Sequence, residues 1–172
     1  VADPAHLWVD VDGAAGTAQA TAHALAHAGD RVGFLGWPQG SGTGDDRERG
    51  WARTGGMQHG PRLTAEDDAQ QAKAVAAGVI GEVDALVCAS DLLAIGAHLA
   101  ATEAGRAELP IYGFDNTPAA EALGLSSVEQ LPEQVAAGAL ELLMGPTGSV
   151  VAPRPADAGT AHVLVEPRLI VR

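Results

Sequence analysis

Short apolar runs with the character of β-strands alternate with segments of helical pattern along most of the chain. The runs lack the polar alternation of a half-exposed strand, which indicates that both faces of the sheet are covered. This order is typical of a parallel sheet with crossover helices, so the sequence predicts an α/β fold. The predicted strands are His6 to Val11, Arg31 to Gly36, Val83 to Ala89, Leu109 to Phe114, Leu125 to Glu129 and Val163 to Val171.

Capping residues mark the ends of the predicted helices. The Pro- and Gly-rich stretch from Gly145 to Thr160 has no periodicity and predicts a flexible surface loop. The first predicted helix runs from Asp12 or Gly13 to Gly29. The second follows the capping-box spacing of Thr64 to Asp67 and ends near Gly78. Three more run from Ser90 or Asp91 to Gly105, from Pro118 over a short span, and from Pro132 to Gly145.

Charge and cysteine content exclude several classes of protein. The 172 residues carry a net charge of -12, which argues against this chain gripping nucleic acid by itself, because such binding relies on Lys and Arg. The single cysteine, Cys88, has no internal disulfide partner and lies in an apolar run, which favours a buried, inert thiol. No apolar stretch reaches the length of a membrane span, so we expect no membrane association.

The glycine-rich stretch Gly36 to Trp51 poses the question of nucleotide binding. A phosphate loop of the Walker type ends in Gly-Lys-Ser/Thr, whereas these glycines run into Asp45 and Asp46, which would repel phosphate. The spacing of Gly40 to Gly44 also differs from the dinucleotide-binding pattern. We therefore expect a strand-to-helix turn whose two aspartates favour the following helix N-terminus.

Polar side chains follow three of the predicted strands and suggest a binding site. Arg47, a fork-shaped donor, follows one strand together with Arg49, Gly50 and Trp51. Ser90 and Asp91 follow another strand and are either helix caps or ligand contacts, and Asp115 is either a helix-initiating residue or an acceptor for a ligand hydroxyl. Because ligands of open α/β sheets bind at the carboxyl ends of strands, these groups predict a site for a hydroxyl-rich small molecule.

The sequence does not suggest an enzyme or a metalloprotein. It contains no G-x-S-x-G elbow, and its histidines are not placed near a nucleophile. His23 and His27 lie four residues apart on one predicted helix and have the spacing of a metal pair, but a third ligand is missing from the pattern. We expect no catalytic residue, no metal and no cofactor.

Seven segments in order resemble the effector-binding domain of LacI/GalR-type transcriptional regulators, and the similarity covers nearly the whole chain. The segments are Val11 to Gly16, Gly29 to Gly36, Arg47 to Trp51, Asp84 to Ala97, Gly113 to Thr117, Ser127 to Gln130 and Glu166 to Arg172.

This resemblance implies a periplasmic-binding-protein-like fold of two lobes, with a parallel sheet flanked by helices. It implies that residues 1–11 end the N-terminal lobe and that residues 12–128 form the C-terminal lobe. Residues 129–161 would be a crossover with a helix of the N-terminal lobe and a loop, and residues 162–172 would return to the C-terminal lobe. The DNA-binding domain and most of the first lobe would lie upstream, so operator DNA would be contacted outside this chain.

The resemblance also implies which residues contact the effector. Arg47 is similar to the family's effector-holding arginine, Ser90 stands where a small polar residue is usual, and Asp91 follows it. Asp115 is similar to the ligand-binding acid, and Gln130 to a glutamine that faces the cleft.

The chain departs from the family pattern at two places. The segment from Ala52 to Leu63 is short and Gly-rich and lacks the aromatic residue that often stacks on the effector sugar. The lead-in before Tyr112 is also shortened.

The function implied is a cytoplasmic, homodimeric ligand sensor of a LacI-type regulator that binds a small sugar-like effector between its lobes. The helix from Leu92 to Ala104 serves core packing, a dimer interface or both. The alternative is a secreted solute-binding protein of a sugar transporter, which shares the fold. An enzyme that uses a nucleotide is a third hypothesis, and it requires the glycine-rich stretch to bind phosphate.

Overall fold

The computed structural model describes residues 8–55, 58, 60–144 and 162–172. The strands are β1 Trp8–Val11, β2 Val32–Gly36, β3 Arg62–Thr64, β4 Ala85–Cys88, β5 Ile111–Phe114, β6 Ser126–Glu129, β7 His162–Val165 and β8 Arg168–Ile170. The helices are α1 Gly13–His27, α2 Thr43–Arg53, α3 Ala69–Ala77, α4 Asp91–Glu103, α5 Pro118–Ala122 and α6 Pro132–Met144. The predicted α/β class is therefore confirmed. Part of the first predicted strand and the whole predicted loop from Gly145 to Thr160 lie outside the described residues.

The larger sheet has six strands in the order β3-β2-β4-β5-β6-β8. All neighbouring pairs are parallel except β6 with β8, which is antiparallel. The central strands are fully buried, which matches their unbroken apolar sequences. Their carboxyl ends share one edge of the sheet, and the loops that follow β2, β4, β5 and β6 all leave from that edge.

A separate two-stranded sheet pairs β1 with β7 in parallel, with Val9 opposite Val163. Helix α6 packs on this pair at Gly138, where an added Cβ would lie 3.3 Å from Val9 and 3.4 Å from Val163. The chain thus forms one large sheet and a small unit made of β1, β7 and α6.

The last predicted strand, Val163 to Val171, is in fact two strands in two different sheets. β7 pairs with β1 in the small sheet, and only β8 joins the large sheet beside β6. Pro167 lies between them, and a proline cannot donate a ladder hydrogen bond, so the strand is interrupted there. The resemblance implies a return to the larger unit at residue 162, and the strand that joins the larger sheet begins at Arg168.

Two further local predictions were wrong. Strand β3 was not predicted, because its three residues, two partly buried and one exposed, give too short an apolar signal. The capping box from Thr64 to Asp67 does not form, since Thr64 belongs to β3 and the cap of α3 is Asp68, whose carboxylate accepts from the Gln71 amide at 2.8 Å. By contrast, Ser90 caps α4 and Pro118 and Pro132 open their helices as predicted.

Helix α2 is fixed against the rest of the molecule by close packing. At Gly50 an added Cβ would lie 2.1 Å from the Ala14 carbonyl oxygen, so α1 and α2 touch through their backbones. Trp51 is buried, stacks on Phe34 at a ring separation of 5.4 Å and donates from Nε1 to the Val32 carbonyl at 2.9 Å. These contacts determine where the side chain of Arg47, on the same helix, points.

In the part of the chain that the structure describes, no helix has both the length and the apolar character that crossing a bilayer requires.

Candidate functional site

Arg47 lies at the carboxyl edge of the large sheet, with 5% of its surface exposed. Its guanidinium carbon is 3.7 Å from the centroid of the Phe114 ring and 5.4 Å from that of Trp37. Nη1 donates to the carbonyl oxygen of Ala89, at the end of β4. A planar cation held between aromatic faces and a strand end keeps a fixed orientation.

Asp115 faces Arg47 from the end of β5. Its Oδ1 lies 3.4 Å from Arg47 Nη2, and the same oxygen accepts a hydrogen bond from Gln130 Nε2. About a third of the Asp115 side chain, 32%, is exposed, so its carboxylate is open to solvent on one side. The structure thus brings together three of the five predicted residues.

The backbone of Asp115 is strained. Its φ angle is +108°, a value that residues with a side chain rarely adopt, and Asn116 follows with a φ of +48°. Strain of this kind persists only where the surroundings hold it, and it is frequent at ligand-binding sites. The strained turn directs the Asp115 carboxylate toward Arg47.

Burial opposes charge on both members of the pair. It raises the pKa of Asp115 above its ordinary value, although Arg47 and the Gln130 hydrogen bond act in the opposite direction. Burial likewise lowers the pKa of Arg47, against the effect of Asp115. Among the described residues, Arg47 Nε has no hydrogen-bond partner. The attraction between Arg47 and Asp115 thus offsets only part of the cost of burying their charges.

Ser90 connects the site to two residues that sequence analysis missed. Its hydroxyl accepts from the Leu93 amide at 3.2 Å as a helix cap and donates to Asp67 Oδ1 at 2.6 Å. Trp37 Nε1 donates to the same Asp67 oxygen at 3.2 Å. Asp67 follows β3, the strand that has no clear sequence signal. Trp37 follows β2 and lies within the glycine-rich stretch, and an aromatic residue at a strand end was the sequence signal that could have identified it.

The Asp91 side chain points into the protein. It is 1% exposed, and its two carboxylate oxygens accept from Ser127 Oγ at 2.5 Å and from the Thr117 amide at 2.6 Å. An added Cβ on Gly113 would lie 2.1 Å from Asp91 Oδ1, so glycine is needed there. Asp91 thus supports the turn after β5 from the buried side of the protein.

The remaining residues singled out near Arg47 have structural roles. Arg49 is half-exposed and pairs with Asp46 at 2.6 Å, while Gly50 and Trp51 pack in the interior as described above. The glycine-rich loop is closed by its own side chains: Asp45 accepts from the Gly40 amide at 3.1 Å. A carboxylate therefore occupies the position that a phosphate loop offers to an anion.

Two cavities lie near the site. One, of about 370 Å³, is lined by Trp37, Pro38, Gln39, Gly40, Ser41, Glu66 and Asp67. A larger one, of about 720 Å³, runs along β1 and the outer face of α2, and its lining includes Trp8, Asp10, Asp12, Asp46, Arg49 and Arg53. Arg47 lies between them, since Gly13 lines the larger cavity and a Cβ there would be 3.2 Å from Arg47 Cγ. Both volumes are in the range of small-molecule sites.

The two helix histidines interact with each other and with the sheet. The rings of His23 and His27 stack at 4.2 Å, and His23 Nδ1 is 2.9 Å from the Tyr112 hydroxyl oxygen. Across the ranges that the structure describes, no three His, Cys, Asp or Glu side chains are grouped so that they could hold a metal.

Comparison with known protein families finds one match. The family described as the periplasmic binding protein-like domain matches residues 21–172. Comparison with curated protein sequences finds no significant match.

Solved structures with the same fold include regulators and transport proteins. A LacI-family regulatory protein from Chloroflexus aggregans is 28% identical, with a TM-score of 0.81 over 96% of this chain and 62% of that one. A solute-binding protein from Actinobacillus succinogenes 130z with bound D-allose is 21% identical, with a TM-score of 0.77 over 96% and 60%. A LacI-family regulator from Arthrobacter sp. FB24, in complex with lactose, is 23% identical, with a TM-score of 0.77 over 95% and 63%.

The chain thus spans somewhat less than two thirds of the length of these structures. The family match covers most of the sequence, and the six-stranded sheet with helices on both faces has the same fold as the solved structures. The chain belongs to the periplasmic binding protein-like domain family.

Proposed function

We propose that this chain is the C-terminal part of the effector-sensing domain of a LacI-type transcriptional regulator and that it binds a small sugar-like effector. The observation that carries the proposal is the cluster of Arg47, Asp115 and Gln130 at the carboxyl edge of the sheet. Charged and amide groups that converge on one partly open point suit the hydroxyls of a polar ligand. The similarity to regulators, one of them crystallised with lactose, supports this assignment.

Within this proposal, Arg47, Asp115 and Gln130 contact the effector, and Ser90 orients Asp67 beside them. Asp91 has a positioning role, because its two oxygens are occupied by internal hydrogen bonds. The larger sheet belongs to the C-terminal lobe, whereas β1, β7 and α6 belong to the N-terminal lobe. The expected boundary at residue 162 thus moves to Glu166, between β7 and β8.

The signalling mechanism would be a population shift. An effector that contacts both lobes prefers one arrangement of them and so changes the spacing of two DNA-binding heads in a dimer. Operator DNA is contacted through a separate domain, in keeping with the charge of -12 on this chain. The module senses a ligand in the cytoplasm and has no catalytic role.

The proposed dimer would use helix α4. Leu92 and Leu99 are 40% and 37% exposed and lie seven residues apart, on one side of the helix. We expect the natural full-length protein to have twice the mass of its chain in light scattering, and Leu92→Glu with Leu99→Glu to give a monomer with an unchanged circular dichroism spectrum. A double variant that remains dimeric would place the interface elsewhere.

The test of effector binding is calorimetric titration of the full-length protein with neutral saccharides. Asp115→Asn should weaken binding about tenfold to about a hundredfold, since it removes a charged hydrogen-bond acceptor, and Gln130→Ala should weaken binding by up to about tenfold, since it removes a neutral amide. Asp30→Asn is the matched control, because Asp30 is exposed and precedes β2 at the opposite edge of the sheet. Unchanged affinity in both site variants would contradict the proposal.

A solute-binding protein of a sugar transporter is the second candidate, supported by the similarity to the structure with bound D-allose. Sequencing the gene upstream of Val1 distinguishes the two. A helix-turn-helix supports the regulator, and a cleavable signal sequence supports the transport protein. A gel-shift assay with DNA from the same locus then tests the regulator directly.

A further inference from the structure

We infer that the cavity beside Trp37 is a second saccharide subsite, so that the effector has at least two sugar rings and the indole of Trp37 stacks on the second. This inference rests on the proposed function, because the first ring would occupy the cluster of Arg47, Asp115 and Gln130. The cavity of about 370 Å³ is lined by the Trp37 to Ser41 loop on one side and by Glu66 and Asp67 on the other.

The Trp37 side chain is held in one orientation before any ligand arrives. The indole Nε1 donates to Asp67 Oδ1 at 3.2 Å, and the backbone carbonyl oxygen of Trp37 accepts from Arg62 Nη2 at 3.0 Å. The ring edge lies against α2, since an added Cβ on Gly44 would be 2.8 Å from Trp37 Cε3. A rigid aromatic wall loses little conformational entropy when a ligand packs on it, which favours binding.

The chemistry of the cavity suits a neutral pyranose. The face of an indole ring carries partial negative charge, and the C–H bonds on one face of a pyranose carry partial positive charge. Gln39 and Ser41 supply polar groups that both donate and accept, and Glu66 and Asp67 supply acceptors for hydroxyls. The two hydrogen bonds described above engage only Oδ1 of Asp67.

The charge of the cavity selects against phosphorylated sugars. Two of the residues in its lining, Glu66 and Asp67, are acidic, and the lining contains no Lys or Arg. A phosphate group placed there would meet like charges, which is unfavourable at short range. The cavity therefore favours an uncharged saccharide.

The subsite adjoins the first cluster through two shared residues. The Arg47 guanidinium lies over the rings of both Phe114 and Trp37, at 3.7 Å and 5.4 Å from their centroids. Asp67 lines the cavity and also accepts from Ser90. A ring on Trp37 and a ring at Asp115 would thus be neighbours, as two linked sugars are.

The experiment compares each disaccharide with its own monosaccharide on the full-length protein, using cellobiose with glucose and lactose with galactose. In at least one pair the disaccharide should bind about tenfold more tightly, as a stacked ring predicts. Trp37→Ala should weaken the disaccharide more than the monosaccharide, so that the advantage is lost, because the ring contacts Arg47 of the first cluster as well as the second sugar. Trp37→Phe, which keeps an aromatic face, should retain most of the advantage.

Other outcomes overturn the inference and separate it from the proposed function. If monosaccharides bind in a manner that depends on Asp115 but neither disaccharide binds more tightly, the second subsite is wrong and the proposed function stands. Equal losses for both members of a pair in Trp37→Ala would also refute it, as would tighter binding of glucose 6-phosphate than of glucose. If none of the four sugars binds, both proposals fail.

Discussion

The Asp91 carboxylate accepts a hydrogen bond from the backbone amide of Thr117 at 2.6 Å. The second oxygen of Asp91 accepts from Ser127 Oγ, and that hydroxyl oxygen in turn accepts from the Asn116 amide at 3.0 Å. These bonds tie down both residues that follow Asp115 in the strained turn. The buried carboxylate of Asp91 thus holds the turn that leaves the Asp115 carboxylate partly exposed.

Asp91→Asn tests this support. The Thr117 amide and the Ser127 hydroxyl both donate to Asp91, so the NH2 group of an asparagine would face one of these donors and leave it without an acceptor. We therefore expect a loss of about 1–3 kcal/mol in the free energy of unfolding. Saccharide affinity should fall as well, because the Asp115 turn loses its support. Urea denaturation and calorimetry measure the two effects. If the Asp91→Asn protein were less stable but bound saccharide with wild-type affinity, the conformation of the Asp115 turn would not depend on Asp91.

Asp115→Asn should separate stability from binding. Burial raises the pKa of Asp115, so the folded protein binds this proton more tightly than the unfolded chain does, and stability falls as pH rises above the ordinary carboxyl pKa. At neutral pH the charged form is therefore unfavourable for folding. Asparagine removes that charge and tolerates a positive φ angle better.

We accordingly expect Asp115→Asn to be at least as stable as the wild type in urea at neutral pH while its saccharide affinity is reduced. A clear decrease in the urea midpoint would mean that attraction to Arg47 outweighs the desolvation of the Asp115 carboxylate.

Gly50→Ala should destabilise the protein by about 2 to 3 kcal/mol, because a methyl group there would meet the Ala14 carbonyl and force α1 and α2 apart. Gly81→Ala is the matched control, since nothing lies within 4 Å of the position of its Cβ. Thermal melts of both variants provide the comparison. Equal melting temperatures would show that the two helices can move apart at little cost.

The lowered pKa of His23 predicts a loss of stability in mild acid. Burial, and then the charge of His27, lower the pKa of His23, so the unfolded chain takes up this proton more readily. Stability is therefore lost as pH falls through the ordinary histidine pKa toward the lowered one. In His23→Gln the difference in unfolding free energy between about pH 7.5 and about pH 5.5 should be smaller than in the wild type. An equal difference would assign the acid sensitivity to other groups.

Cys88 should be inert in the folded protein. It is fully buried in β4, and burial raises the pKa of its thiol, so the reactive thiolate is scarce. Ellman's reagent should titrate no thiol in native buffer and one thiol per chain in denaturant, because the sequence has a single cysteine. Rapid labelling of the native protein would indicate that β4 opens locally.

Local sequence signals predicted much of the site because they act through short-range chemistry. Ser90 and Pro118 were identified as helix-start residues, and both have that role in the structure. The apolar run before Asp115 predicted a buried strand, and Asp115 follows its end. Asp67 and Trp37 were missed because they approach Ser90 only after strands distant in sequence have paired.

The sequence by itself determined the alternation of buried strands and helices, and with it the parallel sheet and the edge at which the polar side chains of the candidate site gather. This follows because apolar periodicity and caps act over a few residues and the strand direction is fixed by the crossover helices. Only the tertiary structure decided that Asp91 points inward and Asp115 outward, and that β7 and β8 belong to different sheets. Those choices depend on hydrogen bonds and packing between residues far apart in the chain, which no local pattern encodes.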